Sequence, residues 1–379
     1  MAMERLFQLM HEKNASDMFL AVNAPIQLKI NGNLIPINQQ KVDNGAILSL
    51  LGEVVSSTHL DELDKNGELN IGIPVPGIGS FRLSAFRQRG TVSAVLRYIP
   101  SNIPKLEELH LPAVLLDLIK QKRGLILVVG ATGSGKSTTI AAMLDHRNET
   151  MTGHILTLED PIEFLYKNKK SIINQREIGV DANSLQIALK NALRQAPDCI
   201  LIGEIRDKDT MTAALGYAQS GHLVVATLHA NNSYRALNRI IGFYPLETRG
   251  AMLQDLASSV LAVVSQRLVP ATNGKRVPAV EVLLNTQHIA ELIEEGEISQ
   301  IKEAIEKSMS PGSQTFEQAL LTLIKEGLIT QEDGLAYADS ASNLYWLLNN
   351  EQSDKTMKPE PKEEPEGGGA TFTEFNLNI

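Results

Sequence analysis

The 379-residue chain has one cysteine, Cys199, so no disulfide can form within it. That fits a reducing compartment. Long apolar runs are absent. The longest, at 125–130 and 260–264, fall far short of the ~20 residues a membrane-spanning helix needs. Basic charge is not in excess either: 35 lysines and arginines stand against 44 acids, a net charge of −9, and aromatic residues make up only 4 %. A sequence-independent grip on nucleic acid shows a basic footprint, with aromatics interleaved where single strands stack, so a nucleic-acid motor is disfavoured. There is no repeat of fixed period. No cysteine or paired acid has the spacing of metal ligands, which argues against structural zinc. His11, Glu12 and Lys13 occupy the place where a signal peptide carries its apolar stretch. The expectation is a soluble cytoplasmic protein without direct membrane insertion, brought to any membrane by a partner.

What is present is ordinary globular material, 43 % hydrophobic and 21 % charged, in a length that suits two to three domains. Residues 1–100 read as a small α+β domain. It has a helix at 3–11, strands at 17–22 and 26–30 with an Asn31-Gly32 hairpin turn between Ile30 and Leu34, helical periodicity over 45–63, and strands at 70–75, 79–86 and 93–99. Residues 101–112, rich in proline, read as a linker. A second pattern spans 113–285. After a helix at 113–120, short apolar strands at 125–129, 154–158, 199–202 and 223–227 alternate with helices, which suggests a largely parallel sheet covered on both faces. From Ser233 onward the spacing predicts helices at 233–242, 247–268, 286–307, 314–327 and 330–349, with 286–350 as a helical C-terminal region. The tail at 351–379 carries three lysines, seven acids and a Gly-Gly-Gly step, and reads as disordered.

The strongest local signal is Gly130-Ala131-Thr132-Gly133-Ser134-Gly135-Lys136-Ser137, followed by Thr138. It fits the phosphate-loop pattern, with an apolar strand before it and a helix after it. Glycines let successive N–H groups turn toward phosphate oxygens, and the helix N-terminus adds partial positive charge. Lys136 suits the β- and γ-phosphates of ATP, and the Ser137 hydroxyl suits Mg²⁺.

Acids end the neighbouring strands. Asp198 and Glu204 bracket 199–202, and ligands gather at the carboxyl ends of such strands, so Glu204 is the Mg²⁺-side candidate, directly or through water. Glu159, Asp160 and Glu163 crowd a turn around Pro161, where carboxylates repel unless donors or a cation intervene. Glu163 is the candidate for polarising water, supported by Glu159 and Asp160. His222 precedes strand 223–227 and His229 follows it. They read either as half-buried histidines or as donors sensing the γ-phosphate. Arg82, Arg87, Arg89 and Arg97 lie in the first domain. They read either as a solvated strand face or as phosphate partners acting on a neighbouring subunit.

Together these segments resemble the secretion and type IV pilus ATPase superfamily, and within it the PilT/PilU retraction branch. The matching text is Ala15-Ser16-Asp17-Met18, Phe81-Arg82 with Gln88-Arg89-Gly90, the loop at 130–138, LEDPIEF at 158–164 and Gln175-Arg176-Glu177. It continues with LRQAPD at 193–198, IGEIRD at 202–207, GHLVVATLHANN at 221–232, Gln266-Arg267-Leu268 and the segment at 279–283. The resemblance covers about residues 1–348. It implies an α/β fold, a RecA-like P-loop ATPase domain preceded by a PAS-like domain, assembled as a homo-hexamer. It further implies Lys136 and Ser137 as Walker A residues, Glu159, Asp160 and Glu163 as the acidic box with Glu163 catalytic, Glu204 as the Walker B acid, and His222 and His229 as the His box. Arg82 and Arg97 resemble the arginines that approach nucleotide from the N-terminal domain. The wording at 195–198, 228–232, 266–270 and 338–340 is most like PilU. The PilT helix of AIRNLI type is replaced by HIAELI at 288–293 followed by two glutamates. PilU-like proteins typically work alongside a PilT-like ATPase and the inner-membrane platform protein. The resemblance therefore implies either a motor that drives or assists retraction, or an accessory subunit with little turnover of its own. Extension ATPases carry a four-cysteine metal site, which one cysteine cannot supply.

Overall fold

The computed structural model describes residues 2–356 apart from 31, 100 and 101, with side chains as far as 350. The expected turn residue Asn31 lies outside the described residues, as do residues 357–379 of the expected tail, whereas 351–356, expected to be disordered, continue the last helix. The first layer holds α1 (Ala2–Glu12), β1 (Asp17–Leu20), β2 (Pro25–Ile30), β3 (Asn33–Lys41), α2 (Asn44–Gly52), α3 (Ser57–Asn66), β4 (Glu68–Val75), β5 (Gly79–Gln88) and β6 (Thr91–Ile99). Its strands form one antiparallel sheet in the order β3-β2-β1-β6-β5-β4. Met3, Phe7 and Met10, at helical spacing, bury the inner face of α1. Phe7 stacks on Phe81 of β5 with centroids 4.1 Å apart, a contact worth about 1 kcal/mol beyond the area it buries. The two-residue strand period that turns Phe81, Leu83 and Ala85 inward turns Arg82 outward. There Arg82 pairs in register with Arg97 of β6, and Arg97 with Asp17 of β1.

The single helix expected over 45–63 is instead α2 and α3. Ser56 interrupts the run and caps α3 by accepting from the His59 N–H, the alternative that serine offers a helical backbone.

The second sheet is built from β7 (Gly124–Val129), β8 (Gly153–Glu159), β9 (Ser171–Glu177), β10 (Cys199–Ile202), β11 (Leu223–Leu228), β12 (Val260–Pro270) and β13 (Arg276–Leu284). Its order is β13-β12-β7-β11-β10-β8-β9, parallel except for the antiparallel β12–β13 pair. Strands β7 and β10 are buried along their whole length, as a sheet covered on both faces requires. The covering helices are α4 (Val114–Leu118), α5 (Lys136–Thr150), α6 (Leu185–Ala192), α7 (Lys208–Gln219), α8 (Ser233–Gly242), α9 (Leu246–Ser259), α10 (Gln287–Glu295) and α11 (Ile301–Glu306). Leu125, Leu127 and Val129 face one helical layer, while Ile126 and Val128 face the other, with Ile140 and Met143 of α5.

Two expectations are corrected here. The helix expected over 247–268 stops at Ser259, and the chain continues as β12 beside β7. The apolar run Val260-Leu-Ala-Val-Val264 has no period that separates a buried strand from a buried helix; its valines and central place in the sheet decide for strand. The region after Ser233 remains mostly helical, but the β12–β13 hairpin interrupts it. Strand β9 also had no counterpart in the expected element order.

The C-terminal helices α12 (Phe316–Lys325), α13 (Gln331–Tyr337) and α14 (Ala341–Thr356) cover this hairpin. Phe316, Leu320 and Leu344 lie against Val269, Val277 and Ala279. The span expected as one helix over 330–349 breaks between α13 and α14, where Asp339 meets Arg267.

Candidate active site

The parallel strands bring their carboxyl ends to one side of the second sheet, and a cavity of about 710 Å³ opens there. The phosphate loop follows β7. Gly133 and Gly135 adopt φ of 76° and 91°, the left-handed turn that converges successive N–H groups. Gly135 sits at the N-terminus of α5. Thr132, Gly133, Gly135, Lys136, Ser137 and Thr138 line the cavity. Gly130 and Ser134 are buried and Ala131 is exposed, and none of the three lines the cavity. The Lys136 ammonium donates to the carbonyls of Gly130 and Ala131, both at 2.9 Å. Burial holds its pKa below the ordinary value, while Glu204 and Glu163 oppose that shift.

The expected carboxylates converge on the same cavity: Glu159 and Asp160 at the end of β8, Glu163 on the turn after it, and Glu204 just beyond β10. Glu159 is buried; its carboxylate accepts from the Thr157 hydroxyl at 2.6 Å and the Gln175 amide at 3.3 Å. Burial pushes its pKa up to about 7 despite these donors. Glu204 accepts from Arg206 Nε at 2.7 Å, and its other oxygen lies 3.3 Å from His229 Nε2. Gly203 makes the turn at β10 tight: a Cβ there would stand 3.1 Å from the Leu158 carbonyl.

Not every expected residue reaches the cavity. His222 opens β11 rather than closing it, so the parallel sheet carries it to the end opposite the phosphate loop. Its Nδ1 lies 3.2 Å from the Tyr217 carbonyl and 3.2 Å from the Ser220 hydroxyl. Asp198, expected at that far end, is there and accepts from the His154 N–H at 2.7 Å. Arg82 and Arg97 line a second cavity of about 540 Å³ between the two sheets, which shares only Asp160 and Ile178 with the first. Arg82 is bonded to Glu177 at 2.6 Å and Arg97 to Asp17 at 2.9 Å.

Two further residues, Gln266 and Arg206, support the site without carrying a motif role of their own. Gln266 of β12 is buried beneath the phosphate loop, and its Oε1 accepts from Thr139 of α5 at 2.7 Å. Arg206 reaches both Glu204 and Asp160, the latter at 3.7 Å. Their only sequence signal was membership of the segments at 266–268 and 202–207.

The residues suit a nucleoside triphosphate with Mg²⁺. The donor set is hard oxygen: the Ser137 hydroxyl and the carboxylates of Glu204 and Glu163 share one cavity. Among the described residues no group of three or more His, Cys, Asp or Glu is arranged to hold a metal ion. Mg²⁺ suits such a site, because it takes few protein ligands and completes its shell with phosphate oxygens and water.

The family model described as "Type II/IV secretion system protein" matches residues 2–335. The type IV pilus ATPase PilU of Pseudomonas aeruginosa is 47 % identical over 349 residues, 92 % of this chain and 91 % of that protein. The type IV pilus retraction ATPase PilT of the same organism is 37 % identical, covering 88 % of this chain and 96 % of that one. A crystal structure of the pilus retraction motor PilT with bound ADP superposes with a TM-score of 0.84 at 40 % identity, covering 90 % of this chain and 98 % of that chain.

Proposed function

Because the chain belongs to the type II/IV secretion system protein family, and within it to the PilT/PilU group with most likeness to PilU, we propose that it hydrolyses ATP to ADP and phosphate as a motor of the type IV pilus machinery, driving or assisting pilus retraction and twitching motility. The observation that carries this reading is the convergence of Lys136, Ser137, Glu163 and Glu204 on one cavity. Lys136 and the N–H groups of residues 133–138 hold the phosphates. Ser137 and Glu204 are the residues that would hold Mg²⁺, and the ion would supply neutralising charge to the phosphate oxygens. Glu163 orients the attacking water and polarises it, and His229 holds Glu204 in place. Asp160 and Glu159 keep the acidic turn at the cavity wall.

The working unit in this reading is a homo-hexamer in the cytoplasm, recruited to the inner face of the membrane by the pilus platform protein and acting beside a PilT-like ATPase. No helix among the described residues is long and apolar enough to cross a membrane. A second reading, carried by the HIAELI segment at 288–293 and the two glutamates after it in place of the PilT-type helix, is an accessory subunit that binds nucleotide but turns over little without its partner ring.

The test is Mg-ATP turnover per subunit against protein concentration, with Lys136→Ala as the blank. Turnover that Lys136→Ala abolishes, and that Glu163→Gln stops while ATP still binds, is the expected result. Wild-type turnover in Glu163→Gln would overturn the catalytic assignment. Absence of turnover that is restored by adding a PilT-like ATPase would move the reading to the accessory subunit.

A further inference from the structure

The residue that joins the two sheets is Glu177, the last residue of β9. Its carboxylate is shared. One oxygen accepts from Arg82 of the first sheet at 2.6 Å, and the other accepts from the backbone N–H of Ile162 at 3.1 Å. Ile162 is the residue before Glu163. Glu177 also stands in register with Glu159, and the next N–H, that of Ile178, donates to the Glu159 carbonyl at 2.8 Å. The end of β9 thus grips the acidic turn at two points while holding the arginine of the other sheet. Its own backbone N–H is bonded to Asp181 at 2.8 Å, which fixes the strand end.

The charges around this carboxylate leave it little choice of partner. Arg82 and Arg97 are directly opposite each other on β5 and β6, an arrangement that like charges destabilise unless each is neutralised. Asp17 neutralises Arg97, and Glu177 neutralises Arg82. The Arg82–Glu177 pair is largely shielded from solvent, with side chains 22 % and 15 % exposed. One carboxylate thus links Arg82 of the first sheet to the Pro161–Ile162 peptide, one residue before Glu163.

We propose that Glu177 is a positioning residue that ties the orientation of the first sheet, through Arg82, to the placement of Glu163 in the nucleotide cavity. This rests on the ATPase reading above and on Glu163 as the water-polarising carboxylate. It gives Arg82 a role within its own chain: it sets the geometry of the acidic turn. Movement of the first sheet that pulls Arg82 away also releases Ile162 from its fixed acceptor and loosens Glu163.

The experiment is steady-state ATPase kinetics of the full chain for Glu177→Ala, Glu177→Gln, Arg82→Ala and the Arg82→Ala/Glu177→Ala double variant, with thermal melts and fluorescent-ATP binding. Displacing a reacting group by about 1 Å costs up to roughly 10²-fold in rate. Glu177→Ala is therefore expected to lower kcat by about 10- to 100-fold while KM and nucleotide affinity stay within about threefold. Glu177→Gln keeps an acceptor for Ile162 without the ion pair, so its kcat should fall between those of Glu177→Ala and wild type. Arg82→Ala should add nothing to Glu177→Ala if the two act as one unit. Should Glu177→Ala fail to fold, Glu177→Gln against Arg82→Ala carries the comparison. Wild-type kcat in the Glu177 variants, or independent multiplicative losses in the double variant, would overturn the inference while leaving the ATPase reading intact. A wild-type protein without any turnover, alone or with a PilT-like partner, would overturn both.

Discussion

Glu204 and His229 meet across the ends of adjacent parallel strands, with carboxylate oxygen and imidazole nitrogen 3.3 Å apart. The other Glu204 oxygen is held by Arg206 at 2.7 Å. One carboxylate is thereby aimed by two cationic or donor groups from two different segments, each at the edge of the nucleotide cavity. Replacing Glu204 by glutamine keeps the shape and removes the charge that Mg²⁺ and the phosphates would meet. Turnover is expected to fall by about 10²-fold or more, with nucleotide binding retained. His229→Ala frees one oxygen of Glu204 and should cost less, about tenfold. Parallel ATPase and fluorescent-nucleotide titrations check both; equal losses in the two variants would contradict this ordering.

The phosphate loop rests on Gln266, and two glycines separate strain from collision. Gly135 has φ of 91°, and a Cβ there would stand 2.7 Å from Gln266 Nε2. Gly133 has φ of 76° with no atom within 4 Å of its would-be Cβ. Gly133→Ala meets backbone strain alone, about 1 kcal/mol. Gly135→Ala adds displacement of a buried amide that also holds Thr139, for a total of about 2–3 kcal/mol. Urea unfolding of the two variants should rank them in that order, and Gly135→Ala should lose the greater share of ATP affinity.

The phosphate loop and the acidic strand ends were legible in the sequence because their signals are local. Glycine spacing, a following Lys-Ser pair and an acid after an apolar strand each declare their place without help from distant residues. Gln266 and Glu177 were present in recognisable segments, yet their roles were not readable. Gln266 acts only once β12 lies beside β7, and an apolar run of that length reads equally well as helix. Glu177 acts only because β9 joins the sheet edge and the first sheet lies over it. His222 shows the opposite case: its segment was recognisable, but strand direction takes it away from the cavity within one chain.

Arg267, next along β12, turns the other way and fastens the C-terminal helices. It donates to Asp339 and, at 2.6 Å, to the Tyr337 carbonyl, and its guanidinium lies 3.8 Å over the Phe316 ring. Asp339 also accepts from Asn232 at 2.8 Å. Asp339→Ala leaves a cation half-enclosed without its carboxylate and should cost about 2–3 kcal/mol. Limited proteolysis should then nick the chain near 338–340 faster than in wild type; unchanged cleavage would show that the Tyr337 and Phe316 contacts of Arg267 hold these helices without Asp339.

Glu159 makes stability depend on pH in a direction opposite to that of an ordinary salt-bridged acid. Burial raises its pKa from 4.5 to about 7, and the nearby Glu163 pushes the same way. Between those values the folded chain holds a proton that the unfolded chain has released. By linkage, stability from this group is fully present below pH about 4.5 and is lost as pH rises to about 7, a span of about 3 kcal/mol. Glu159→Gln cannot ionise, and its carbonyl still accepts from the Thr157 hydroxyl. The variant should match wild type in melting temperature near pH 4.5 and exceed it by several degrees at pH 8. Melts taken across that range check the sign: a difference that is flat with pH would mean that Glu159 stays ionised in the fold, and a difference that shrinks toward pH 8 would mean that its carboxylate is stabilised there.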